Sequence, residues 1–493
     1  MSVLKGKELR IVGFLCNWCS YGGADTAGTA RLGQPTDLRI IRVPCSGRVN
    51  PLFVMKALLN GADGVLVSGC HPRDCHYSEG NYHARRRLEN LKEFLPIIGI
   101  DPRRFQYTWV SASEGQRWRD VVQNFTASIH KLGPAPRWDE VVPTREVPTV
   151  QPEPLRTLGC GKHPALPELQ AQIKDALANE GVELVLGWQQ GFNPLHTSLL
   201  VMRKPEDVDK LVWGPLNVQN LATFLPEYKG HKIGLVVKGC DSRAVVELLQ
   251  EGLINRDEVV IFGMGCNGTV NVRNVEATIG ENRAITGVTG KGGKLIVTST
   301  GLDGSTETVL PMTEICQEKC RTCKMPNAAF YDHFAGNPTV LPDGASELEK
   351  TEGAMALLES MTLEQRLGFW KGHMERCIRC YACRNACPMC VCRDHCVADA
   401  RNPHWLTQED TSSQKFFFQI IHALHLSGRC VGCMECNRAC PVGIPVGILK
   451  IQINRIARKL FEYEAGMDAA AVPPLLGFEL EEKNIHEHHI EGA

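Results

Sequence analysis

The sequence predicts an α/β protein with a small parallel-sheet domain at the N-terminus, a second α/β domain, and a cysteine-rich domain with helical flanks. Three observations lead to this prediction. The chain has 493 residues, enough for about three domains. Apolar strand-like runs alternate with amphipathic helix-like runs over its first two thirds, as in βαβ units. Half of its 22 cysteines fall in one dense block near the C-terminus.

The composition excludes several classes of function. The chain is 43% hydrophobic and 22% charged with a net charge of −1, so no strongly basic face is expected and nucleic acid is not a predicted partner. No run of 18 or more apolar residues exists, so we expect no direct membrane insertion. The start "MSVLKGKELR" lacks the apolar core of a signal peptide, which predicts a cytoplasmic protein. In such a chain, clustered cysteines more often bind metal or do redox chemistry than form disulfides.

Residues 1–131 have a βαβ rhythm. The strand-like runs "LRIVGFL", "DLRIIRV" and "GADGVLVSG" are joined in part by the helix-like "NPLFVMKALLNG". Because ligands gather at the carboxyl ends of parallel strands, the cysteines at these ends could converge at one edge of the sheet. The five are Cys16, Cys19, Cys45, Cys70 and Cys75.

Three interpretations of this N-terminal group stay open on the residues alone. A thiol–disulfide switch would need only Cys16 and Cys19 at the start of a helix. A zinc site or an iron–sulfur cluster would use four of the five thiols. The segment "GCHPRDCHYSEGNYHARRR" adds His71, His76 and His83, which could hydrogen-bond cluster sulfurs. Its arginine run, residues 85–87, is either a docking patch or a solvated helix face.

A Pro-rich linker is predicted over 132–155, followed by the second α/β domain over 156–345. Strands are indicated in "HKIGLVVKGC", "RDEVVIFGMGC" and "GGKLIVTST". Four of this domain's six cysteines could hold a further 4Fe–4S cluster, since "CQEKCRTC" has metal-type spacing; one zinc site or ordinary core cysteines are the alternatives. The six are Cys160, Cys240, Cys266, Cys316, Cys320 and Cys323.

Two glycine-rich stretches of this domain are weak signals. "GMGCNG" (263–268) formally matches a dinucleotide fingerprint, which should open a helix. The following "TVNVRNVEATI" is β-branched and is not predicted to be helical, so a turn shaped around Cys266 is favoured. "GVTGKGGK" (287–294) is typical of a flexible hairpin.

The chemical signal is strongest in residues 346–465. "CIRCYACRNACP" (377–388) and "CVGCMECNRACP" (430–441) are both C-x2-C-x2-C-x3-C-P, the spacing of two-cluster bacterial ferredoxins. In that arrangement the fourth cysteine of each run ligates the other cluster, whereas structural zinc needs no such repeat. The predicted 4Fe–4S ligand sets are therefore Cys377, Cys380, Cys383 and Cys440 for one cluster, and Cys430, Cys433, Cys436 and Cys387 for the second.

Three neighbouring cysteines are not needed by two clusters. Cys390, Cys392 and Cys396 could be further ligands, with Cys160 as a partner, or inert buried thiols. Residues 466–493 form a predicted polar tail, and its end "EEKNIHEHHIEGA" is expected to be solvated and disordered rather than a histidine metal site.

The N-terminal runs "CNWCSYGGAD" and "IIRVPCSGRVNPLFVMKALLNGADGVLVSGCHPRDCHYSEGN" resemble the delta subunit of methyl-viologen-reducing hydrogenase over roughly residues 8–130. The resemblance implies a 2Fe–2S cluster on four of the five thiols. It also implies electron transfer between a hydrogenase- or dehydrogenase-type donor and a heterodisulfide-reductase-A-like flavin subunit, of a kind that can bifurcate electrons, within a hetero-oligomeric complex.

From about residue 156 the chain more loosely resembles the beta subunits of deazaflavin-dependent hydrogenases and formate dehydrogenases. It resembles more closely the iron–sulfur subunits that join NADH-oxidising flavoproteins to heterodisulfide-reductase-like complexes. The residues concerned are "VKGCDSRAVVELLQEGLINRDEVVIFGMGC", "CQEKCRTC" and "CIRCYACRNACPMCVC". Some of these beta subunits bind FAD, although no independent FAD signature is present here.

The prediction is thus an electron-relay subunit without a substrate site of its own. One alternative is an FAD-dependent subunit that moves hydride to or from NAD(P)H or a deazaflavin coenzyme. The other is a thiol–disulfide oxidoreductase at Cys16 and Cys19.

Overall fold

A computed structural model describes residues 9–144, 163–342, 354–392, 395–398 and 404–485. The N-terminal domain is a four-stranded, all-parallel sheet in the order β2-β1-β3-β4 with helices on both faces. Its elements are β1 (Ile11–Cys16), α1 (Ser20–Thr29), β2 (Leu38–Val43), α2 (Pro51–Leu59), β3 (Gly64–Gly69), α3 (Gly80–Phe94), β4 (Phe105–Trp109) and α4 (Gly115–Leu132).

The register of this sheet brings the ends of three strands level. Cys16 is opposite Val43 at the end of β2, and Leu15 is opposite Ser68 near the end of β3. Every residue of β3 is buried, as expected for a central strand covered by helices on both faces. The loops that follow β1, β2 and β3 therefore leave the sheet side by side.

The middle domain has a five-stranded sheet in the order β12-β8-β7-β5-β6, in which only β6 runs antiparallel to its neighbour. Its central strands β7 and β8 are fully buried. The elements up to β8 are α5 (Leu166–Asn179), β5 (Leu184–Gln190), β6 (Thr197–Met202), β7 (Ile233–Val237), α6 (Gly239–Gln250) and β8 (Val259–Met264). They continue as α7 (Val272–Ile279), β9 (Ala284–Lys291), β10 (Lys294–Gly301), β11 (Gly304–Pro311), α8 (Met312–Ile315), α9 (Glu318–Arg321) and β12 (His333–Ala335).

Two glycine-rich stretches can be checked here. The hairpin expected at 287–294 is present, because β9 and β10 pair antiparallel across Gly292 and Gly293, both with positive φ. The expectation that no helix follows "GMGCNG" is wrong, since α7 forms with Val275 and Ile279 buried one turn apart. Residues 269–271 separate the last glycine of the motif from this helix, so the glycines do not open it directly.

The C-terminal domain is helical around the two cysteine motifs. Its apolar residues join two separate cores. Cys383, Cys436 and Cys440 pack in one core with the face of the N-terminal sheet that carries α2 and α3, whereas Cys433 packs in the core of the middle domain. The helices are α10 (Ala354–Ser360), α11 (Leu363–Arg376), α12 (Ala382–Asn385), α13 (Ser412–His425), α14 (Glu435–Ala439) and α15 (Gly447–Phe461).

The described part of the predicted linker, residues 132–144, lies along α11. The buried Lys371 ammonium donates to the carbonyls of Trp138, Asp139 and Val141 at 2.8, 3.2 and 2.9 Å. A Cβ at Gly372 would overlap the Thr144 carbonyl, so only glycine allows the chain this close. Within the residues placed by the structure, no helix has the length and apolar character needed to cross a membrane.

The tail prediction is wrong for residues 474–485, which pack on α3. Glu482 is almost fully buried and accepts from Arg86 at 2.5 Å, with the Arg85 guanidinium 3.9 Å away. The Phe478 ring stacks on Tyr82 at a centroid distance of 5.0 Å. Of the arginine run, the side chains of Arg85 and Arg86 are therefore neither solvated nor free for docking, because the chain's own tail covers them. Residues 486–493, which include the tail histidines, lie outside the described residues.

We expect Glu482→Ala to release this tail. The substitution leaves buried guanidinium groups without their carboxylate, which costs about 3–5 kcal/mol. The open form should become at least about 100-fold more populated, because 1.4 kcal/mol corresponds to a factor of about ten in an equilibrium. Limited proteolysis of the tail measures this. Glu481→Ala is the matched control, since its partner Arg73 is 72% exposed. Equal cleavage rates in the two variants would contradict the prediction.

Candidate functional site

The five N-terminal cysteines converge at the carboxyl edge of the sheet, where the level strand ends place them. Cys16 ends β1, Cys45 follows β2, and Cys70 follows β3. The Sγ atoms of Cys16 and Cys70 are 3.7 Å apart, and those of Cys45 and Cys75 are 3.8 Å apart. Cys19 stands at the start of α1, is partly exposed, and contacts Cys70. We call these five residues the N-terminal thiol group.

The thiol group is electrostatically prepared to lose a proton. Hydrogen bonds from the Cys45 and Cys70 thiols lower the pKa of Cys16 to about 2, whereas the same bonds and burial raise the pKa of Cys45 and Cys70. The thiolate form of Cys16 is thus stabilised by two neighbouring donors. Metal binding requires deprotonated thiols, so this arrangement suits a metal or cluster.

Backbone groups of two glycines complete this end of the domain. The Gly47 amide donates to the Cys45 sulfur at 3.4 Å. Gly80 begins α3, and a Cβ there would overlap the Cys45 sulfur and lie 3.4 Å from the Cys75 sulfur. The close approach of α3 to the two thiols therefore depends on the absence of a side chain at position 80.

The three histidines of this segment have partners other than the thiols, so the expected hydrogen bonds to cluster sulfurs are not observed. His71 Nε2 lies 2.6 Å from Glu114 Oε2. The His76 ring stacks on Trp18, with the centroids 3.8 Å apart. His83 packs edge-on against Phe478. Trp18 is 45% exposed, so the His76–Trp18 pair forms an aromatic surface beside Cys19.

The two cysteine motifs of the C-terminal domain have the same backbone shape. Arg379 and Tyr381 in the first have φ values of 56° and 56°, and the equivalent Gly432 and Met434 in the second have 68° and 54°. A short helix, α12 or α14, follows each loop, and these helices contact each other. The repeat seen in the sequence is thus a structural repeat.

The first cradle is a small cavity lined by cysteines from both motifs. Gln419 on α13 donates to the Cys383 sulfur at 3.5 Å, and the Ile444 amide donates to the Cys440 sulfur at 3.3 Å. Amide donors of this kind stabilise thiolate ligands. The cysteines lining the first cradle are Cys377, Cys380, Cys383 and Cys440.

The second cradle is formed by Cys387 with the second motif. Burial, followed by the charges of Cys430 and Cys436, raises the pKa of Cys387 to about 12. Burial also raises the pKa of Cys433 well above its usual value, with the charges of Cys387 and Cys430 among the further causes. The four thiols are therefore mutual neighbours, and bound iron would compensate the thiolate charges that they build up. The cradle consists of Cys387, Cys430, Cys433 and Cys436.

The three surplus cysteines lie together just beyond the first motif. Cys392 hydrogen-bonds both Cys390 and Cys396, and these bonds lower its pKa to about 6. Cys390 and Cys392 line a cavity of 450 Å³ next to Cys387. The structure therefore groups them with each other rather than inside either cradle. Cys160, the suggested partner of these thiols, lies outside the described residues.

Four of the six cysteines of the middle domain line one cavity of 560 Å³, which we call the middle cavity. Thr269 contacts the Cys320 sulfur through its amide and its hydroxyl, both at 3.3 Å. Cys316 packs instead in a small core against β10 and β11. The cysteines lining the middle cavity are Cys240, Cys266, Cys320 and Cys323.

The middle cavity is basic and adjoins the second cradle. Lys319 donates to the Cys433 carbonyl at 2.6 Å, and Val431 and Gly432 of the second motif line the cavity. Burial lowers the pKa of Lys319, but the charges of nearby groups, Cys240 first, raise it above its usual value overall. A positive charge is therefore held beside the middle thiols.

The spacing of these thiols bears on what they could hold. Among the described residues, no three or more His, Cys, Asp or Glu side chains converge as ligands of a single metal ion would. An iron–sulfur cluster spreads its thiolates around several irons and sulfides, so it needs wider spacing than one zinc ion does. Thiol donors, amide donors to sulfur and nearby positive charge fit such clusters.

Two protein-family models match the chain. Residues 11–133 match the methyl-viologen-reducing hydrogenase delta subunit, and residues 373–444 match a 4Fe–4S dicluster domain. The first match covers the N-terminal thiol group, and the second covers both cradles.

Similar curated proteins align with the N-terminal domain. The iron–sulfur D subunit of the F420-non-reducing hydrogenase of Archaeoglobus profundus is 52% identical over 127 residues, which are 26% of this chain and 93% of that protein. The heterodisulfide reductase of Methanosarcina acetivorans, a ferredoxin/F420H2-dependent CoB-CoM enzyme, has an A-type subunit that is 50% identical over 124 residues, 25% of this chain but only 16% of that protein. Among solved structures, a xenon-derivatised F420-reducing NiFe hydrogenase complex from Methanosarcina barkeri has 14% identity and a TM-score of 0.27, over 46% of this chain and 94% of that one.

Proposed function

The chain belongs, through residues 11–133, to the methyl-viologen-reducing hydrogenase delta-subunit family, and from that premise we propose that it is an electron-relay subunit of a multi-subunit redox complex. It also carries a 4Fe–4S dicluster domain. Bound clusters would supply one-electron carriers. The protein's own part is to hold them, exclude water from them and set the charge around them.

One observation carries the proposal: the dicluster domain packs between the other two domains and touches the thiol sites of both sides. The second cradle shares the core of the middle domain and is joined to the middle cavity by Lys319. Cys383 and Cys440 of the first cradle share the core beneath the N-terminal sheet. Four thiol sites thus follow one another through the molecule, as a relay requires.

For the N-terminal thiol group we propose a 2Fe–2S cluster held by two pairs of thiolates. Two thiolates on one tetrahedral metal with bonds of ~2.3 Å stand about 3.8 Å apart. The observed separations of 3.7 and 3.8 Å fit Cys16 with Cys70 on one iron and Cys45 with Cys75 on the other. Cys19 is left outside the pairs. A thiol–disulfide switch of Cys16 with Cys19 would not need the other pair.

For the middle cavity we propose a further 4Fe–4S cluster on its four thiols. The contacts from Thr269 to the Cys320 sulfur and the charge of Lys319 support a ligand role there. The same criterion excludes Cys316 from the proposed ligand set, since it packs in another core.

We propose a hydrogenase- or dehydrogenase-type donor and a heterodisulfide-reductase-A-like flavin protein as partners. The relatives support this, because the N-terminal domain occurs as the D-type protein of a hydrogenase and as 16% of the A-type protein of a heterodisulfide reductase. We place electron bifurcation on the partner's flavin, since a flavin can take electrons in pairs. The exposed Trp18 beside Cys19 supports contact with a partner at this end of the relay.

A flavin-dependent activity is the second candidate function. The size of the middle cavity and the cationic side chains in its wall, among them Lys238, Arg243 and Lys324, favour an anionic cofactor such as FAD. In that case the chain would move hydride to or from a nicotinamide or deazaflavin. Glu464, which pairs with Arg243 at 3.3 Å, reduces the positive charge of the wall.

Metal analysis of anaerobically purified protein tests the relay. We expect about 14 iron atoms with matching sulfide, from three 4Fe–4S clusters and one 2Fe–2S cluster. Reduction by dithionite should bleach the visible absorbance and give several EPR signals. Stoichiometric zinc with iron near zero would contradict the proposal. A flavin band in the same spectrum, reducible by NADH, would favour the second candidate, and its absence would reject it.

A further inference from the structure

One lysine is buried between the two cradles. Lys450 lies on α15 with 2% of its surface exposed, and it is among the largest fully buried side chains of the described chain. Its Nζ has no hydrogen-bond partner among the described residues. A buried ammonium without a partner is costly, so a nearby negative charge must compensate it.

The groups that compensate it are thiolates from both cradles. Burial lowers the pKa of Lys450, but the charges of Cys436 and Cys383, followed by Cys387 and Cys430, raise it above its usual value overall. Cys383 belongs to the first cradle and the other three to the second. The lysine therefore faces both sites at once.

The other titratable group of this region does not share that role. His422 on α13 is fully buried, and burial together with the Lys450 charge holds its pKa well below the usual value. It is therefore neutral at physiological pH. The packing of α15 against α13 and α14 keeps the lysine in place.

We propose that Lys450 is a shared counter-ion of the two clusters and raises the midpoint potentials of both. This rests on the proposed relay function. Reduction of either cluster adds one electron from the donor and no proton, so the site gains one negative charge. A fixed positive charge nearby stabilises the reduced state. Because one ammonium acts on both sites, it keeps their potentials close and favours electron passage in either direction.

EPR-monitored redox titration of the full chain, with dithionite as reductant, tests this. Lys450→Met should shift both midpoint potentials to lower values while the iron and sulfide contents stay at the wild-type level. Lys450→Arg should restore both potentials, which a purely structural role would not require. Lys459→Met is the matched control on the same helix, because Lys459 is 64% exposed and pairs with Glu93 at the surface, and it should change neither potential.

A second neutral variant, Lys450→Gln, guards against a loading defect in the first. Unchanged potentials in either neutral variant at full iron content would overturn the proposal, as would a shift of one potential alone. Wild-type protein without iron would instead overturn the relay function itself, so the two failures can be told apart.

Discussion

Replacing Cys440 with serine is expected to remove the cluster of the first motif, although Cys440 belongs to the second. The hydroxyl is a much poorer ligand than thiolate for an iron–sulfur cluster. Cys440 lines the same cavity as Cys377, Cys380 and Cys383, and its sulfur accepts the Ile444 amide there. We expect a loss of about four irons and of one EPR signal from the reduced protein.

Two reference variants identify which cluster is lost. The remaining EPR spectrum of Cys440→Ser should match that of Cys380→Ser, which empties the first cradle, and not that of Cys433→Ser, which empties the second. Cys387→Ser should show the reverse, with a spectrum like that of Cys433→Ser. If Cys440→Ser instead matched Cys433→Ser, each motif would hold its own cluster and the crossed arrangement would be wrong.

The spacing of these eight cysteines is local and repeated, and this is why sequence alone was sufficient to propose them. Each motif places three thiols within seven residues, and the left-handed residues at equivalent positions show that the backbone follows the repeat. The convergence of the N-terminal thiols was also predictable, since it follows from parallel strands alone. Their pairing was not, because it depends on how the loops after β2 and β3 fold over Gly80.

The middle domain shows where spacing is not enough. Cys316, Cys320 and Cys323 are close in sequence, yet Cys316 faces the core beneath β10 while Cys320 and Cys323 face the middle cavity. This choice depends on the bridge between Val270 and Cys316, a contact between residues far apart in the chain. No local pattern encodes it.

The arginine run and the tail escape prediction for a similar reason. A charged helix face is usually solvated, and a charged chain end is usually disordered, so each expectation is reasonable for its segment alone. The tail supplies Glu482 and the α3 helix supplies Arg86, and only the fold brings them together. Lys450 is a comparable case, because a lysine in an amphipathic helix gives no sign that thiols surround it.

Replacing Gly80 with alanine is expected to abolish the N-terminal cluster while leaving the dicluster domain loaded. The new Cβ would overlap the Cys45 sulfur and press on the Cys75 sulfur, so one proposed iron would lose the position of both its ligands. Iron should fall by about two atoms per chain, and the EPR signal assigned to this cluster should disappear.

The backbone gives no other reason for such a loss. Gly80 is the first residue of α3 and is not among the glycines with positive φ, so alanine fits its conformation. Alanine also favours a helix over glycine by roughly 0.5–1 kcal/mol, so α3 itself should not weaken. Any loss is therefore attributable to the overlap with the thiols.

Two controls separate this overlap from general damage. Gly28→Ala adds the same methyl group on α1, where nothing lies within 4 Å, and should keep all clusters. Cys19→Ser removes the thiol outside the two close pairs and should keep the 2Fe–2S signal. A Gly80→Ala protein with full iron, or a Cys19→Ser protein without the signal, would contradict the pairing. The first result would mean that the Cys45–Cys75 pair does not bind iron, and the second that Cys19 takes the place of one paired thiol.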